Sequence, residues 1–387
     1  MRCLALTLLL AYSGMWLATK TSPFDISNYN SYSIQAKSWL EGRLDVDHFS
    51  WLEQAVFEGR YYISFPPMPS VIMLPFVLVF GAQTPDNLIC LAVAIAGACY
   101  ALKTARALGK APRESFFWAL FVTVSSNFLF ISMNGWVWFI AQNLSFMFTM
   151  MSIFYAVDKR RKSAALSLLF LACAVGCRPF QLVFFPVLFF LLYDNSSIKA
   201  FLGDVLHKWY SLLPVLCVGL FYCALNYARF GNILEFGHNY LPEFLESPMG
   251  QFNTGYIPYN FLRSVRLFEY RYGQFFFPVF DGFAFYIVMP VWISCAAYLV
   301  RGKKLDGFAW LALVCIALNL LATCAHKTMG GWQFGCRYFV DATPFVLLLA
   351  LKRSKDMQLS RLDYALIIFG AAVNILGNIA FYLEWLY

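Results

Sequence analysis

Acidic and basic side chains suited to phosphate chemistry are spread along this chain of 387 residues. The carboxylates of the longest polar stretch, residues 20–68, are Asp25, Glu41, Asp45, Asp47, Glu53 and Glu58. Basic residues stand in distant later segments: Arg178, Arg229, Arg263, Arg266, Arg271, Lys327 and Arg337. Moving a group from a lipid phosphate to a hydroxyl needs a carboxylate that takes the proton and fixed cations that stabilise the leaving phosphate. The two sets together predict group transfer from an anionic lipid.

Several kinds of catalytic machinery are missing from the sequence. It contains no GxxxxGK[ST] phosphate loop, no GxGxxG fingerprint, no HExxH motif and no GxSxG motif. The 11 cysteines form no CxxC pair and fall mainly in apolar segments, so we expect them to be buried packing residues. His48, His238 and His326 have no metal-ligand spacing. We therefore expect a substrate that is already activated, and the spacing predicts no metal site.

The composition indicates a membrane protein. The chain is 60% hydrophobic, 19% aromatic and 13% charged, with a mean hydropathy of +0.62. Soluble domains carry about 25% charged residues, so this chain lacks the polar surface that a soluble enzyme needs. Long apolar runs recur along the whole length, which excludes a membrane β-barrel and a disordered chain. The net charge of +8 reflects basic loop residues, so no nucleic-acid partner is expected.

The distribution of basic clusters predicts the topology. They lie at 103–113, 159–162, 199–208, 301–304 and 352–361. Placing all of them on the cytoplasmic face gives a path of about eleven transmembrane helices, with the N-terminus inside and the C-terminus outside. We therefore predict an all-α polytopic membrane protein, with residues 1–387 forming one domain and no soluble domain.

The same topology places two long loops on the outer face. These are residues 20–68, where the catalytic residues are expected, and residues 229–280. A short outer loop at 326–337 contains Lys327, Trp332 and Arg337. The apolar run at 67–81 is too short for a full span, so it is predicted to be an interfacial or re-entrant helix.

Residues 163–193 must cross the membrane and return. As a helix this segment is roughly 46 Å long, whereas two crossings need about 60 Å, so a short broken hairpin is predicted. Its break is Cys177-Arg178-Pro179, because proline removes a backbone donor and favours a helix start after the arginine. A charge at this depth is tolerated beside a wet cavity, so Arg178 is expected to face a cavity open to the outer side.

The order of several motifs resembles the glycosyltransferase C (GT-C) superfamily, integral membrane enzymes that use polyprenyl-phosphate sugars, and most closely its poorly characterised bacterial members. The matching strings are Leu40 to Asp45 after Asn30 and Ala36, Gly59-Arg60-Tyr61-Tyr62-Ile63-Ser64-Phe65-Pro66-Pro67-Met68-Pro69, Cys177-Arg178-Pro179, Asn226 to Gly231 with Glu235-Phe236-Gly237, and Gly331-Trp332-Gln333-Phe334-Gly335-Cys336-Arg337-Tyr338. The resemblance spans most of the chain, and its second and last strings are the most specific.

The resemblance implies an inverting transferase whose active site lies under the first outer loop. Two carboxylates compete for the role of base: Asp25 follows the first helix, and Glu53 precedes the Gly59 string. The implied ligands of the donor phosphate are Arg178, Arg229 and Arg337, followed by Arg263, Arg266, Arg271 and Lys327. The implied substrate contacts are Asn30, Tyr61, Tyr62, Trp332 and Tyr338. No acidic pair follows the first helix, so a divalent metal ion stays open as a cofactor.

The expected donor is a polyprenyl-phosphate sugar, and the acceptor is a glycan, a lipid or a protein. The expected location is the bacterial inner membrane, with the active site on the outer face. Two alternatives remain open at this point: a non-catalytic GT-C-like subunit, and a flippase or transporter of lipid-linked sugars. A transporter would show inverted repeats, and a non-catalytic relative would have lost the loop acids or the cavity arginines.

Overall fold

The computed structural model describes residues 1–158, 163–271, 273–280, 282–301 and 304–386, with the side chains of Arg271 and Gln274 left out. It consists mainly of α-helices, with two small antiparallel sheets in the loops. The predicted basic cluster at 159–162 lies outside the described residues.

The N-terminal part contains seven helices and one β-hairpin. The helices are α1 (Arg2–Thr19), α2 (Ser31–Leu40), α3 (Met68–Phe80), α4 (Asp86–Ala107), α5 (Pro112–Val122), α6 (Phe128–Ile131) and α7 (Val137–Val157). The hairpin strands are β1 (Gln54–Phe57) and β2 (Arg60–Ile63), paired with Gln54 opposite Ile63 and Phe57 opposite Arg60. The turn between them holds Glu58 and Gly59 at positive φ, a conformation that glycine adopts without steric cost.

The second half alternates helices with short loop elements. In chain order they are α8 (Ser163–Val175), α9 (Phe185–Leu192), α10 (Ile198–His207), α11 (Leu213–Phe230), α12 (Pro242–Leu245), α13 (Ile257–Val265), β3 (Glu269–Arg271), β4 (Gln274–Phe276), α14 (Phe285–Val288), α15 (Val291–Arg301), α16 (Gly307–Cys324), α17 (Thr343–Arg353) and α18 (Arg361–Tyr382). Short 3₁₀ helices occupy Gly81–Gln83, Pro179–Phe184, Trp209–Leu212, His238–Tyr240, Thr254–Tyr256 and Arg337–Ala342.

Six helices in the described part of the chain are long and apolar enough to cross a membrane. They are Arg2–Thr19, Asp86–Ala107, Val137–Val157, Trp209–Phe230, Gly307–Cys324 and Arg361–Tyr382. Shorter apolar helices occupy Met68–Gln83, Ser163–Val175, Pro179–Leu192 and Val291–Arg301. The chain is therefore an integral membrane protein, whereas about eleven passes and the sides of the termini stay predictions.

The break in the 163–193 hairpin is confirmed. Helix α8 ends at Val175, Arg178 is extended with φ −142° and ψ 100°, and Pro179 begins a 3₁₀ helix. A residue before proline is disfavoured in the helical region, which explains the extended Arg178. The amide of Met68 at the start of α3 donates to the carbonyl of Gly176 at 3.0 Å, so the short α3 and the break support each other.

The core is dominated by close helix packing around α7, the most buried of the six long helices. Helices α4 and α8 pack along its two sides. In the last helix, Gly377 has no side chain and the ring of Phe334 occupies the space, so that a Cβ there would lie 2.0 Å from the ring. Phe334 in turn packs edge-on against Phe283 with centroids 5.3 Å apart. The packing of Phe334 against Gly377 joins α18 to the loop before the 3₁₀ helix Arg337–Ala342.

We expect Gly377→Ala to destabilise the protein by about 1–3 kcal/mol, because the Phe334 ring must leave its site. Thermal unfolding in detergent measures the change. The matched control is Gly219→Ala on α11, where an added Cβ meets nothing within 4 Å. Equal melting temperatures for the two variants would contradict the packing argument.

Candidate active site

One cavity of about 700 Å³ collects side chains from the first loop, the start of α7, the helix break and the later loops. Its described lining includes Tyr29, Tyr32, Glu53, Phe65, Trp136, Trp138, Phe139, Arg178, Phe180, Glu235, His238, Asn239, Glu243, Phe244, Gln251, Phe252, His326, Thr328, Gly330, Trp332, Arg337 and Tyr338. Aromatic residues are therefore the largest group in the lining, with charged and amide groups between them. Such a lining suits a ligand with an apolar body and a polar head.

Arg178 is held at the cavity wall by a buried carboxylate. Its Nε donates to Oδ2 of Asp341 at 2.9 Å, and the side chains are 20% and 1% exposed respectively. The other oxygen of Asp341 accepts from Nε2 of Gln142 at 2.8 Å. The expectation that Arg178 faces a cavity is confirmed. Its guanidinium is fixed in direction by the ion pair.

Arg337 lies in the same cavity and is buried among neutral acceptors. Its Nε and Nη2 donate to the carbonyl of Gly330 at 3.1 and 2.8 Å, and Nη1 lies 3.4 Å from Oε1 of Gln142. Among the residues that the structure describes, no carboxylate lies within ion-pair distance of Arg337. A buried cation without a carboxylate partner favours the approach of an anion.

The two guanidinium groups share one aromatic ring. The Cζ atoms of Arg178 and Arg337 lie 4.7 and 4.8 Å from the centroid of Tyr338. Of these two arginines, Arg178 is neutralised by its ion pair with Asp341. The region around Tyr338 therefore carries excess positive charge, and two planar guanidinium groups there can bind phosphate oxygens.

Glu53 presents a carboxylate to the same cavity. Its Oε2 accepts a hydrogen bond from Nε1 of Trp138 at 3.0 Å, and the residue is exposed at the cavity wall. The cavity walls around the carboxyl group raise the pKa of Glu53 above its ordinary value, mainly because they exclude part of the water that would solvate the carboxylate, and the negative charge of Glu243 acts in the same direction. The bond from Trp138 and the positive charge of Arg337 act in the opposite direction. A carboxyl tuned upward in this way suits proton transfer.

The β-hairpin positions Glu53, which immediately precedes β1. The side chain of Gln54 closes the preceding loop, because its Oε1 accepts from the amide of Phe49 at 2.8 Å and its Nε2 donates to the carbonyl of Asp47 at 2.8 Å. Gln54 is buried. These two hydrogen bonds therefore hold the loop at Asp47 and Phe49 against Gln54, next to Glu53.

Asp25, the other candidate base, does not line the cavity. It is exposed, and its Oδ2 accepts from the amide of Ser22 at 2.7 Å in a local turn. Asn30 is the residue before α2 and is also outside the lining. Of the two carboxylates that the sequence left open as base, the structure brings only Glu53 to the arginines.

Arg229 is buried outside the cavity lining. It donates to the carbonyl of Ile63 at 3.3 Å and to Oδ1 of Asn226 at 2.8 Å. These contacts join the end of α11 to β2. Tyr62 packs nearby on Phe230 with centroids 5.1 Å apart. In this arrangement Arg229 supports the first loop.

Arg263, Arg266 and Lys327 also lie outside the lining. Arg263 stacks on Tyr259 at 3.8 Å, Arg266 donates to the carbonyl groups of Gly282 and Phe280, and Lys327 donates to the carbonyl of Glu243 at 2.6 Å. Arg271 belongs to β3, and its side chain is outside the described part of the structure. Tyr61 stacks on His48 at 4.5 Å in a neighbouring pocket. Trp332 and Tyr338 do line the cavity, as expected of substrate contacts.

Several cavity residues were missed by the sequence analysis. They are Tyr29, Tyr32, Trp138, Glu235, His238, Glu243, His326 and the arginine partner Asp341. Glu235 belongs to the Glu235-Phe236-Gly237 string of the family resemblance, and this string was the sequence signal that could have identified it. Its carboxylate accepts from the amide of Gly237 at 2.6 Å and from Nδ2 of Asn239 at 2.8 Å.

No group of three or more His, Cys, Asp or Glu side chains in the described part of the chain is arranged to hold a metal ion. Of the three glutamates in the lining, Glu53 accepts a hydrogen bond from Trp138, and Glu235 accepts hydrogen bonds from Gly237 and Asn239. A divalent metal ion therefore stays open as a cofactor.

The fold is similar to that of two solved structures of ArnT from Cupriavidus metallidurans, one bound to undecaprenyl phosphate and one in the apo state. The TM-scores are 0.58 and 0.54, the sequence identity is 12% in both cases, and the alignments cover 96% and 95% of this chain. The chain spans 62% of the length of each matched structure. No protein-family model and no curated protein matches the sequence.

The raised pKa of Glu53 predicts a pH-dependent stability difference. Between the unfolded value, near 4.5, and the higher folded value, the folded state binds more protons than the unfolded state. The stability of the wild type therefore falls as the pH rises through this window. We expect Glu53→Gln to melt at a higher temperature than the wild type at pH 7.5, and the difference to disappear as the pH approaches 4.

Thermal unfolding of both proteins from pH 4 to 8 measures this difference. Glu58→Gln, in the exposed turn of the same hairpin, is the control and should follow the wild type at every pH. A constant difference between Glu53→Gln and the wild type across the series would contradict the linkage argument.

Proposed function

We propose that this integral membrane protein, which has the fold of the GT-C superfamily, transfers a sugar from a polyprenyl-phosphate donor to an acceptor hydroxyl. The observation that carries the proposal is the presence of Arg178, Arg337 and Glu53 in one cavity. Fixed cations and a carboxylate of raised pKa are the two components that this transfer needs. The ArnT structure bound to undecaprenyl phosphate supports a lipid of this class as the partner.

In the proposed reaction, the acceptor oxygen attacks the anomeric carbon from the face opposite the phosphate. The new glycosidic bond forms as the carbon–oxygen bond to the phosphate breaks, so the configuration inverts. The carboxylate of Glu53 takes the proton of the acceptor hydroxyl. The polyprenyl phosphate leaves with the bonding electron pair, and its negative charge is stabilised by Arg178 and Arg337.

The surrounding residues fit the other parts of such a donor. Aromatic side chains are the largest group in the cavity wall, and Trp332 and Tyr338 are suited to stack on a sugar face. The polyprenyl tail would lie along the apolar helix surfaces. The two arginines supply the positive charge at the leaving group, so no step is assigned to a metal ion. We place the reaction on the outer face of a bacterial inner membrane, with a glycan, lipid or protein acceptor.

Replacing the proposed base separates the two carboxylates that the sequence left open. We expect Glu53→Gln to lower the transfer rate by about 10²–10⁴-fold, because it removes proton acceptance and keeps the side-chain shape. Asp25→Asn should transfer at the wild-type rate, since Asp25 lies outside the cavity. The rate is the release of polyprenyl phosphate, followed by mass spectrometry after purified protein is given polyprenyl-phosphate sugars and candidate acceptors.

The opposite pattern, with loss of transfer in Asp25→Asn and none in Glu53→Gln, would exchange the roles of the two residues. If the wild type binds polyprenyl-phosphate sugars but releases no polyprenyl phosphate with any acceptor, the non-catalytic subunit becomes the better interpretation.

Replacing one cavity arginine should weaken donor binding. We expect Arg337→Gln to reduce the affinity for undecaprenyl phosphate by about 10–100-fold, because a charge-assisted contact to the phosphate is lost. The matched control is Arg229→Gln, which also removes a buried arginine but lies outside the cavity. It should lower the melting temperature and keep the affinity. Binding in lipid nanodiscs measures both effects, and an equal loss of affinity in the two variants would contradict the assignment.

A further inference from the structure

Two histidines flank one phenylalanine in the cavity wall. The ring of His238 stacks on Phe244 with centroids 5.6 Å apart and an angle of 21°, and His326 meets the same ring edge-on at 5.5 Å and 80°. Both histidines line the cavity. Neither has been given a role in the transfer reaction. Their hydrogen bonds distinguish them.

Both nitrogens of His326 are engaged by the protein. Its Nδ1 lies 3.1 Å from the amide of Thr328 and 3.0 Å from the carbonyl of the same residue. Its Nε2 lies 3.2 Å from the side-chain amide of Gln251. The side-chain nitrogen of Gln251 donates, so Nε2 of His326 accepts, and Nδ1 carries the proton and donates to the carbonyl of Thr328. His326 is therefore explained as part of the loop structure.

His238 has one nitrogen engaged and one open. Its Nδ1 contacts the carbonyl oxygen of Ser64. A carbonyl oxygen only accepts, so Nδ1 must carry the proton of this hydrogen bond. Burial lowers the pKa of the His238 ring below its ordinary value, so the ring is neutral at pH 7 and Nε2 carries a lone pair.

Within the described residues, Nε2 of His238 has no hydrogen-bond partner, and it is not among the buried atoms that are closed off from water. Because His238 lines the cavity, this acceptor is open to the cavity space. Phe65 packs edge-on against the ring at 5.1 Å and Phe244 covers one face, so the ring is fixed in orientation. A rigid, neutral acceptor is available to a bound molecule.

The neighbouring charges indicate which part of a ligand lies there. His238 lines the same cavity as Glu235 and as Arg178 and Arg337, the proposed phosphate ligands. In a polyprenyl-phosphate sugar the group attached to the phosphate, opposite the lipid tail, is the sugar. Its hydroxyl groups are hydrogen-bond donors that match an open ring nitrogen.

We infer that Nε2 of His238 accepts a hydrogen bond from a hydroxyl group of the donor sugar and so orients the sugar beside Arg178 and Glu53. This inference rests on the proposed function. His238 acts as a positioning residue that distinguishes a sugar-bearing lipid from the bare lipid phosphate. His326, with the same side chain on the other side of Phe244, has no such role.

The test uses substitutions that separate the two ring nitrogens. The asparagine amide nitrogen stands where Nδ1 of a histidine stands, so His238→Asn retains donation to Ser64 and removes Nε2. His326→Asn is the matched control. The probes are undecaprenyl phosphate and a panel of polyprenyl-phosphate monosaccharides, bound to the full-length protein in nanodiscs. The measured quantity is the ratio of the dissociation constants for the bare phosphate and for the tightest-binding sugar lipid.

We expect the wild type to bind one sugar lipid more tightly than undecaprenyl phosphate. In His238→Asn this ratio should fall about fivefold, the effect of one hydrogen bond, with unchanged affinity for the bare phosphate. In His326→Asn the melting temperature should fall and the ratio should stay at the wild-type value.

An unchanged ratio in His238→Asn would overturn the inference. A wild type that binds bare and sugar-bearing lipids equally would overturn it too, because the sugar would then gain nothing from the cavity. If His238→Asn bound both probes more weakly by the same factor, His238 would act on the phosphate, and the inference would also be overturned. A wild type that binds neither probe would instead be the failure of the proposed function.

Discussion

An ion pair joins Arg178, at the cavity wall, to the buried Asp341 across 163 positions of the sequence, and the cavity depends on it. Burying two charges is costly unless their remaining hydrogen-bonding groups are also satisfied. Here Gln142 donates to the second oxygen of Asp341, and Gln181 donates to its backbone carbonyl at 2.9 Å. The pair therefore fastens α7, the broken hairpin and the 3₁₀ helix before α17 to one another. These contacts orient Arg178 toward the cavity and hold its positive charge there.

The proposed transfer reaction depends on an excess of positive charge around that ion pair. One carboxylate, Asp341, is shared by a region that holds two guanidinium groups, and the second group, of Arg337, is satisfied by neutral oxygen atoms. Such a region can take up an anion without first losing an ion pair. The carboxylate of Glu53 stands in the same space but is engaged by Trp138. The guanidinium groups and the Glu53 carboxylate thus have different side-chain partners, although they share one cavity.

Local sequence signals predicted the parts of the fold that local sterics determine. Pro179 predicted the break after α8, and the short apolar run at 67–81 predicted α3. Roles that depend on distant partners were harder to predict from the sequence. Asp341 and His238 lie in segments whose sequences are typical of an ordinary helix and an ordinary loop. Arg229 is an arginine like Arg337, but it contacts β2 and not the cavity. The choice between two loop carboxylates depended on how the loop closes, which no local pattern encodes. The count of passes depends on the membrane itself and stays a prediction.

The register of the first hairpin sets limits on how this protein can change during evolution. Glu53 immediately precedes β1, in which Gln54 pairs with Ile63, and the chain after β2 passes through Phe65 to the start of α3. Because side chains alternate between the two faces of a strand, inserting one residue within β1 or β2 would reverse every following side chain. Length variation among homologues is therefore expected at the Glu58–Gly59 turn or before His48, whereas the spacings from Glu53 to Phe57 and from Arg60 to Phe65 should stay constant.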